Sequence, residues 1–207
     1  MLLLDFYKNT VTTNDEGGGW AGLYYGIFTK IIADNNYTTV AEVGIGYGTH
    51  AKYILKNNPT IQRLYLIDPM VQYSNDGFSD DIMKQEALVT GNNFNELYDL
   101  IKQELLPFEN RYTWFRTPSL TITNSQISDG ELDAVFVDGD HSYMAVCADL
   151  EFWWKKVRVG GQMLGDDYWM SDVSQAVNEF SVKYNVPYNF LTLPNNNYKI
   201  YQFYKTH

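Results

Sequence analysis

Four short apolar runs in this 207-residue chain break off at a glycine or an acid, with helical stretches between them. Thr39-Val40-Ala41-Glu42-Val43 stops at Gly44, and Leu64-Tyr65-Leu66-Ile67 stops at Asp68. Leu132 to Val137 stops at Asp138, and Gln162 to Leu164 stops at Gly165-Asp166-Asp167. Short apolar runs bounded by turn residues read as strands buried on both faces. Tyr112 to Arg116 is a further strand, ended by Pro118. Helices are expected at Trp20 to Ala33, Thr49 to Lys56 and 79–105, the last broken around Gly91. Ser142 to Arg158 carries Val146, Leu150, Trp153 and Val157 on one face before Gly160-Gly161 stops it. Ser171 or Asp172 caps a helix bearing Val173, Ala176, Val177 and Phe180. Strands 188–193 and 198–204 flank Pro194-Asn195-Asn196-Asn197, a hairpin signal. Strands alternating with helices imply a doubly wound α/β fold. Its sheet is seven-stranded and mostly parallel, closed by a C-terminal antiparallel hairpin.

With 45% apolar and 19% charged residues, the chain fits one globular domain spanning 1–207. Residues 1–19 match no element well, and Gly17-Gly18-Gly19 reads as a loop or as the hinge of a flexible N-terminal lid. Met1-Leu2-Leu3-Leu4, followed at once by Asp5, is too short for a signal peptide, and no run reaches the ~20 apolar residues of a membrane span. The lone Cys147 suits a reducing, cytoplasmic compartment. A net charge of −10 without a basic stripe argues against a nucleic-acid partner. A homo-oligomer is compatible with this reading and not required by it.

Chemistry concentrates at two strand ends. If the strands ending at Val137 and Leu164 are parallel neighbours, Asp138, His141, Asp166 and Asp167 meet at the carboxyl edge of the sheet, where open α/β sheets bind ligands. Three carboxylates repel unless a divalent cation or a proton lies between them. The pattern reads as a metal site with a built-in base. Asp140 and Ser142 read as caps of the helix that follows.

The second motif is Glu42-Val43-Gly44-Ile45-Gly46-Tyr47-Gly48, between a strand and a helix. Glycines there let the backbone turn tightly against a ligand. A dinucleotide loop needs its third glycine at the sixth position, which is Thr49 here. That departure, with Glu42 beside the loop, suits a cofactor that lacks pyrophosphate and offers an amino-acid end and a ribose. Asp68, at the end of the second strand, is placed to accept hydrogen bonds from ribose hydroxyls.

The Glu-x-Gly-x-Gly-x-Gly loop and the Asp68 strand end resemble the class I S-adenosylmethionine-dependent methyltransferases, a Rossmann-like fold. Within that class, Asp138/His141 as Asp-x-x-His and the pair Asp166/Asp167 are similar to the metal-dependent sugar O-methyltransferases that modify macrolides and glycans. The resemblance runs from about Trp20 to the final strand. It implies S-adenosyl-L-methionine and a divalent cation, Mg or Mn, as cofactors. It implies Glu42, Gly44, Gly46, Gly48, Asp68 and Ser119 as cofactor-binding residues, with Ser119 near adenine. It implies Asp138, Asp166 and Asp167 as metal ligands, and His141, with Asp138, as the catalytic pair. The acceptor would be a small molecule or glycan bearing a hydroxyl.

Other readings share parts of this pattern. A non-catalytic module of the same fold could hold S-adenosylmethionine or Ca²⁺, although it needs no base at residue 141. Catechol-type O-methyltransferases, acting on phenols, use a similar acid spacing with lysine as base, and here histidine stands in that place. Helix capping rivals adenine contact for Ser119. Tyr168 and Trp169 read as acceptor-pocket wall or as packing, His50 as packing or solvated, and Cys147 as core. Of the adjacent Trp153 and Trp154, one is expected in the core and the other partly exposed.

Overall fold

A computed structural model describes residues 3–71, 94–194 and 197–207. The helix expected over 79–93, its break at Gly91, and residues 195–196 of the hairpin tip lie outside the described residues. Strands β1 (Thr39–Val43), β2 (Arg63–Ile67), β3 (Tyr112–Phe115), β4 (Leu132–Val137), β5 (Val157–Gly165), β6 (Tyr188–Leu191) and β7 (Ile200–Tyr204) form one sheet in the order β3-β2-β1-β4-β5-β7-β6. The pairs from β3 to β5 are parallel, and β7 joins β5 and β6 antiparallel. The seven-stranded doubly wound sheet with its closing hairpin is therefore as expected.

The period-two alternation of the strands divides the core. Val40, Leu64, Leu66, Phe136 and Leu164 face one layer, with α1 (Leu3–Asp15), α2 (Gly26–Asp34), α3 (Thr49–Asn57) and α4 (Asn95–Leu105). Ala41, Val43, Tyr65, Val135, Val137 and Met163 face the other, with α5 (Tyr143–Lys156) and α6 (Ser171–Tyr184). Each fully buried Leu, Val or Phe stabilises the fold by roughly 1.5–3 kcal/mol. Within β1, Glu42 shares its face with Val40, which directs a carboxylate into the layer that holds α3.

Several local expectations are corrected. Residues 3–15, which match no element by pattern, form α1. Leu3, Tyr7 and Val11 are buried, and the helix packs on α3 and α4. The helix expected from Trp20 begins as a π-helical turn, Ala21–Tyr25, before α2. Helical spacing puts Leu23 on one stripe with Ile27 and Ile31, but the wider turn rotates the chain, so Leu23 is exposed while Tyr24 and Tyr25 are both buried. Helix α5 stops at Lys156, and Gly160-Gly161 lie within β5 instead of ending a helix. A Cβ on Gly161 would meet the Asp133 carbonyl oxygen at 2.6 Å, so the neighbouring strand keeps this position small, while Gly160 is favoured by its φ of +79°. Trp153 and Trp154 are both buried, because α6 and β7 cover the second ring with Phe180 and Phe203. The residue preceding α6 is Met170 and carries no side-chain cap, while Asp172 instead accepts the Tyr143 N–H at 3.3 Å.

The parallel ladder runs one residue past the strands. Gly44 N–H donates to Ile67 O, Asp138 N–H to Val43 O, and Asp166 N–H to Val137 O. Three acid-bearing ends are thus held in register at one edge. Gly44 sits so close to β4 that an added Cβ would lie 1.9 Å from Asp138 O, at a φ of +78°. The substitution Gly44→Ala should cost roughly 2–5 kcal/mol, from left-handed strain plus overpacking. Gly46→Ala, with φ +47° and nothing within 4 Å, should cost only the strain of about 1–2 kcal/mol. Urea unfolding of both variants checks this, and equal losses would contradict it.

Candidate active site

The loop from β1 to α3 is built around backbone that only glycine adopts freely: Gly44, Gly46 and Gly48 have φ of +78°, +47° and +69°. Asp68, at the end of β2, fastens this loop, its Oδ2 accepting the Ile45 N–H at 2.9 Å and its Oδ1 the Met70 N–H at 2.7 Å. Burial raises the Asp68 carboxyl, and these N–H donors oppose that rise. The Gly46 N–H also hydrogen-bonds this carboxylate, so about one lone pair stays open to a ligand.

Glu42 is 1% exposed and His50 3% exposed. His50, on the first turn of α3, donates its Nδ1–H to Glu42 Oε1 at 2.9 Å. Glu42 Oε2 and His50 Nε2 have no partner among the described residues. Burial drives the Glu42 carboxyl up, and the neighbouring His50 pulls it down. His50 had read as packing or solvated; its eight-residue offset from Glu42 was the signal, since one glycine loop returns the chain over the strand end.

At the next two strand ends, Asp138, His141 and Asp167 each bring one ligand atom within 4.8 Å of the others. His141 Nε2 lies 3.0 Å from Asp167 Oδ2 and 3.4 Å from Asp138 Oδ1. Burial opposes charge on this imidazole, but the hydrogen bonds and charges of Asp138 and Asp167 outweigh it, raising His141 to about 10. Asp167 adopts φ +55°, a left-handed conformation that costs a non-glycine residue of order 1–3 kcal/mol. That backbone turns its carboxylate toward His141, and Trp169 Nε1–H donates to its Oδ1 at 2.7 Å. Asp166 is buried beside the cluster and is not one of the three converging groups. Its Oδ1 accepts the Asp167 N–H at 2.6 Å. Burial, then the charges of Asp138 and Asp167, push its carboxyl well above the usual range.

Two tyrosines escaped the motif search. The Tyr24 hydroxyl, from the π-helical turn, donates to Asp138 Oδ2 at 3.3 Å. The Tyr198 hydroxyl, just before β7, hydrogen-bonds Asp166 and Asp167. Neither residue carries a local motif, and only the fold brings them to the acids.

A cavity of about 450 Å³ joins all of this: Glu42, Gly44, Gly46 and Asp68 line one end, and Asp138, His141, Asp166 and Asp167 the other. Of the glycines expected at the cofactor, Gly48 does not line it; a Cβ there would strike Ile101 at 2.5 Å. Ser119 does not line it either, and its hydroxyl hydrogen-bonds Asp149 instead. Asp140 accepts the Ser142 N–H at 2.8 Å, as expected of a residue ordering the start of α5. A second cavity of about 700 Å³ is walled by Tyr168, Trp169, Asn197, Tyr198 and Lys199. Trp169 and Tyr198 line both cavities.

A sheet of this order, with ligand-facing glycines after β1 and an acid after β2, is the fold of S-adenosylmethionine-dependent methyltransferases. A family model described as a methyltransferase domain matches residues 41–168, from β1 through the acidic pair, and the chain belongs to that family. Solved structures share the fold. An O-methyltransferase, NovP, is 19% identical with a TM-score of 0.56, covering 86% of this chain and 76% of that one. A Staphylococcus aureus candidate caffeoyl-CoA O-methyltransferase is 12% identical with a TM-score of 0.63, covering 98% and 97%. An S-adenosylmethionine-dependent O-methyltransferase of Thermotoga maritima is 8% identical with a TM-score of 0.58, covering 88% and 64%. An uncharacterized protein of Acanthamoeba polyphaga mimivirus is 38% identical over 77 residues, which is 31% of this chain and 34% of the viral protein. The chain thus spans about a third of that curated relative. Among the described residues, no helix is long and apolar enough to cross a membrane.

The raised imidazole has a stability consequence. Its folded pKa of about 10 exceeds the ordinary 6.5, so in chelator-treated protein the His141 contribution is complete below pH 6.5 and is lost as pH rises through 10. At about 1.4 kcal/mol per pKa unit the loss is at most about 5 kcal/mol, less where water reaches the ring. Urea unfolding of wild type and His141→Gln at both ends of that window should show their stability gap closing. A gap independent of pH would contradict the pairing.

Proposed function

We propose that the protein is a divalent-metal-assisted O-methyltransferase acting on a hydroxyl of a sugar or glycan, with His141 as general base. The observation that carries this reading is the convergence of Asp138, His141 and Asp167 on the inner cavity, whose wall shares Trp169 and Tyr198 with the outer one. The inner cavity suits S-adenosylmethionine, which supplies a methyl group on a sulfonium. The glycine loop offers close backbone, Asp68 a remaining lone pair for a ribose hydroxyl, and Glu42 an unpartnered oxygen for an ammonium. Ser119, outside this cavity, is left out of the cofactor set.

The donor set fits a hard cation. Asp138 and Asp167 present carboxylate oxygens within reach of one point, with Asp166 behind them. A divalent ion held there, Mg²⁺ or Mn²⁺, supplies a Lewis acid that lowers the pKa of a hydroxyl. The residues then divide the work. Asp138 and Asp167 fix position, His141 Nε2 receives the acceptor's proton as its oxygen gains the methyl, and Trp169 and Tyr198 exclude water from the junction. The outer cavity is the acceptor site in this reading, its aromatic wall suited to the apolar face of a sugar ring. The same wall also fits a phenol, which is the second reading. One domain over 1–207 and a cytoplasmic location, from the lone Cys147, belong to the same proposal.

His141→Ala should lower turnover by about 10²–10⁴-fold, the usual contribution of a general base, while S-adenosylhomocysteine affinity survives. Exhaustive chelation should abolish methylation, and Mg²⁺ or Mn²⁺ should restore it. Mass spectrometry of glycoside and catechol panels reads out the product. Near wild-type turnover in the variant would remove the base, and activity after chelation would remove the metal.

A further inference from the structure

Tyr24 lies outside residues 41–168, the stretch that matches the methyltransferase family, yet it reaches the centre of the site. Its place there is built. The π-helical turn Ala21–Tyr25 puts two successive tyrosines inside, at 5% and 3% exposure, whereas Trp20 and Leu23 remain outside. Two rings lie nearly parallel to that of Tyr24. Phe136 of β4 lies 5.8 Å away at an interplanar angle of 2°, and Tyr198 lies 5.5 Å away at 14°. The ring is buried among these neighbours, and its hydroxyl donates to Asp138 Oδ2 at 3.3 Å. The other oxygen, Oδ1, faces His141 at 3.4 Å. The two oxygens of Asp138 are therefore spoken for by different partners, one a fixed neutral donor and the other the imidazole.

We propose that Tyr24 is a positioning residue for the metal-assisted reaction. It acts through Asp138, holding the carboxylate against rotation so that Oδ1, on the His141 side, is the oxygen offered to a divalent ion. This inference rests on the metal reading of the acid cluster. It also extends the functional site to a segment that precedes the family-matched region. Hydrogen-bond partners of metal ligands typically contribute 10–100-fold to metal affinity when removed one at a time.

The test is Mn²⁺ binding to the full chain, read by electron paramagnetic resonance without acceptor, in wild type, Tyr24→Phe, Tyr37→Phe and Asp138→Asn. Tyr24→Phe keeps the stacked ring and deletes only the hydroxyl. It should weaken Mn²⁺ binding by about 10–100-fold and alter the bound-Mn²⁺ line shape, with S-adenosylhomocysteine affinity unchanged. Tyr37→Phe removes a hydroxyl that bonds Gly160 O and Gln162, away from the cluster, and should bind Mn²⁺ as wild type does. Unchanged Mn²⁺ affinity in Tyr24→Phe, while Asp138→Asn loses the ion, would overturn the inference and leave the metal reading standing. Equal weakening in Tyr37→Phe would also overturn it, by showing general loosening. Wild type that binds no Mn²⁺ would overturn the metal reading and this inference together.

Discussion

Repulsion among the carboxyl groups of Asp138, Asp166 and Asp167 is the constraint to which the rest of the site answers. The parallel register of β4 and β5 pairs Val137 with Gly165, so the next residues on the two strands are both acids. Three negative charges at that spacing would drive the strand ends apart in a partly dehydrated pocket. The structure relieves the strain by three devices. Asp166 is buried and its carboxyl is pushed upward, which favours a neutral acid. His141 bridges Asp138 and Asp167 as an imidazolium. Phenol hydroxyls from Tyr24 and Tyr198 donate into the cluster without adding charge.

The aromatic stack shows why the ends of the chain belong to the site. Tyr198, Tyr24 and Phe136 lie nearly parallel and come from the approach to β7, the π-helical turn and β4. Such stacks add about 0.5–1.5 kcal/mol per pair beyond buried area. Their greater effect here is geometric. They tie a segment before the family-matched region and a segment after it to the strand whose end carries Asp138. Tyr198 also belongs to both cavity walls, so the C-terminal hairpin shapes the passage between them.

Sheet type, glycine loop and acid cluster were legible because each depends on residues close in sequence or on a strand end that stops in a polar residue. Val43 to Gly44 and Val137 to Asp138 are such boundaries, and the parallel ladder does the rest. What escaped depends on contacts between distant segments. Helix α1 lacks a strong apolar stripe, and its burial comes from α3 and α4. Ile27 is buried and Ile31 packs on the core as helical spacing implies, but Leu23, one turn earlier, falls outside because the π-helical turn shifts the phase by inserting a residue, and nothing in Ala21–Tyr25 announces that locally. Gly160-Gly161 resembled a helix stop because glycine ends helices and also admits close strands, and only the approach of the Asp133 carbonyl tells the two apart.

The proposed base and the proposed metal would be coupled in this geometry. An imidazole held near 10 by two carboxylates is cationic at neutral pH and cannot accept a proton. The same two carboxylates are the groups a divalent ion would occupy, and charge placed on them withdraws the pull that keeps His141 protonated. In the proposed mechanism, binding the ion would make the base available, because both would draw on Asp138 and Asp167. A cluster of this kind would stay inert, with its imidazole charged, until the ion arrives, and the tyrosine that orients Asp138 would act on both partners through one carboxylate.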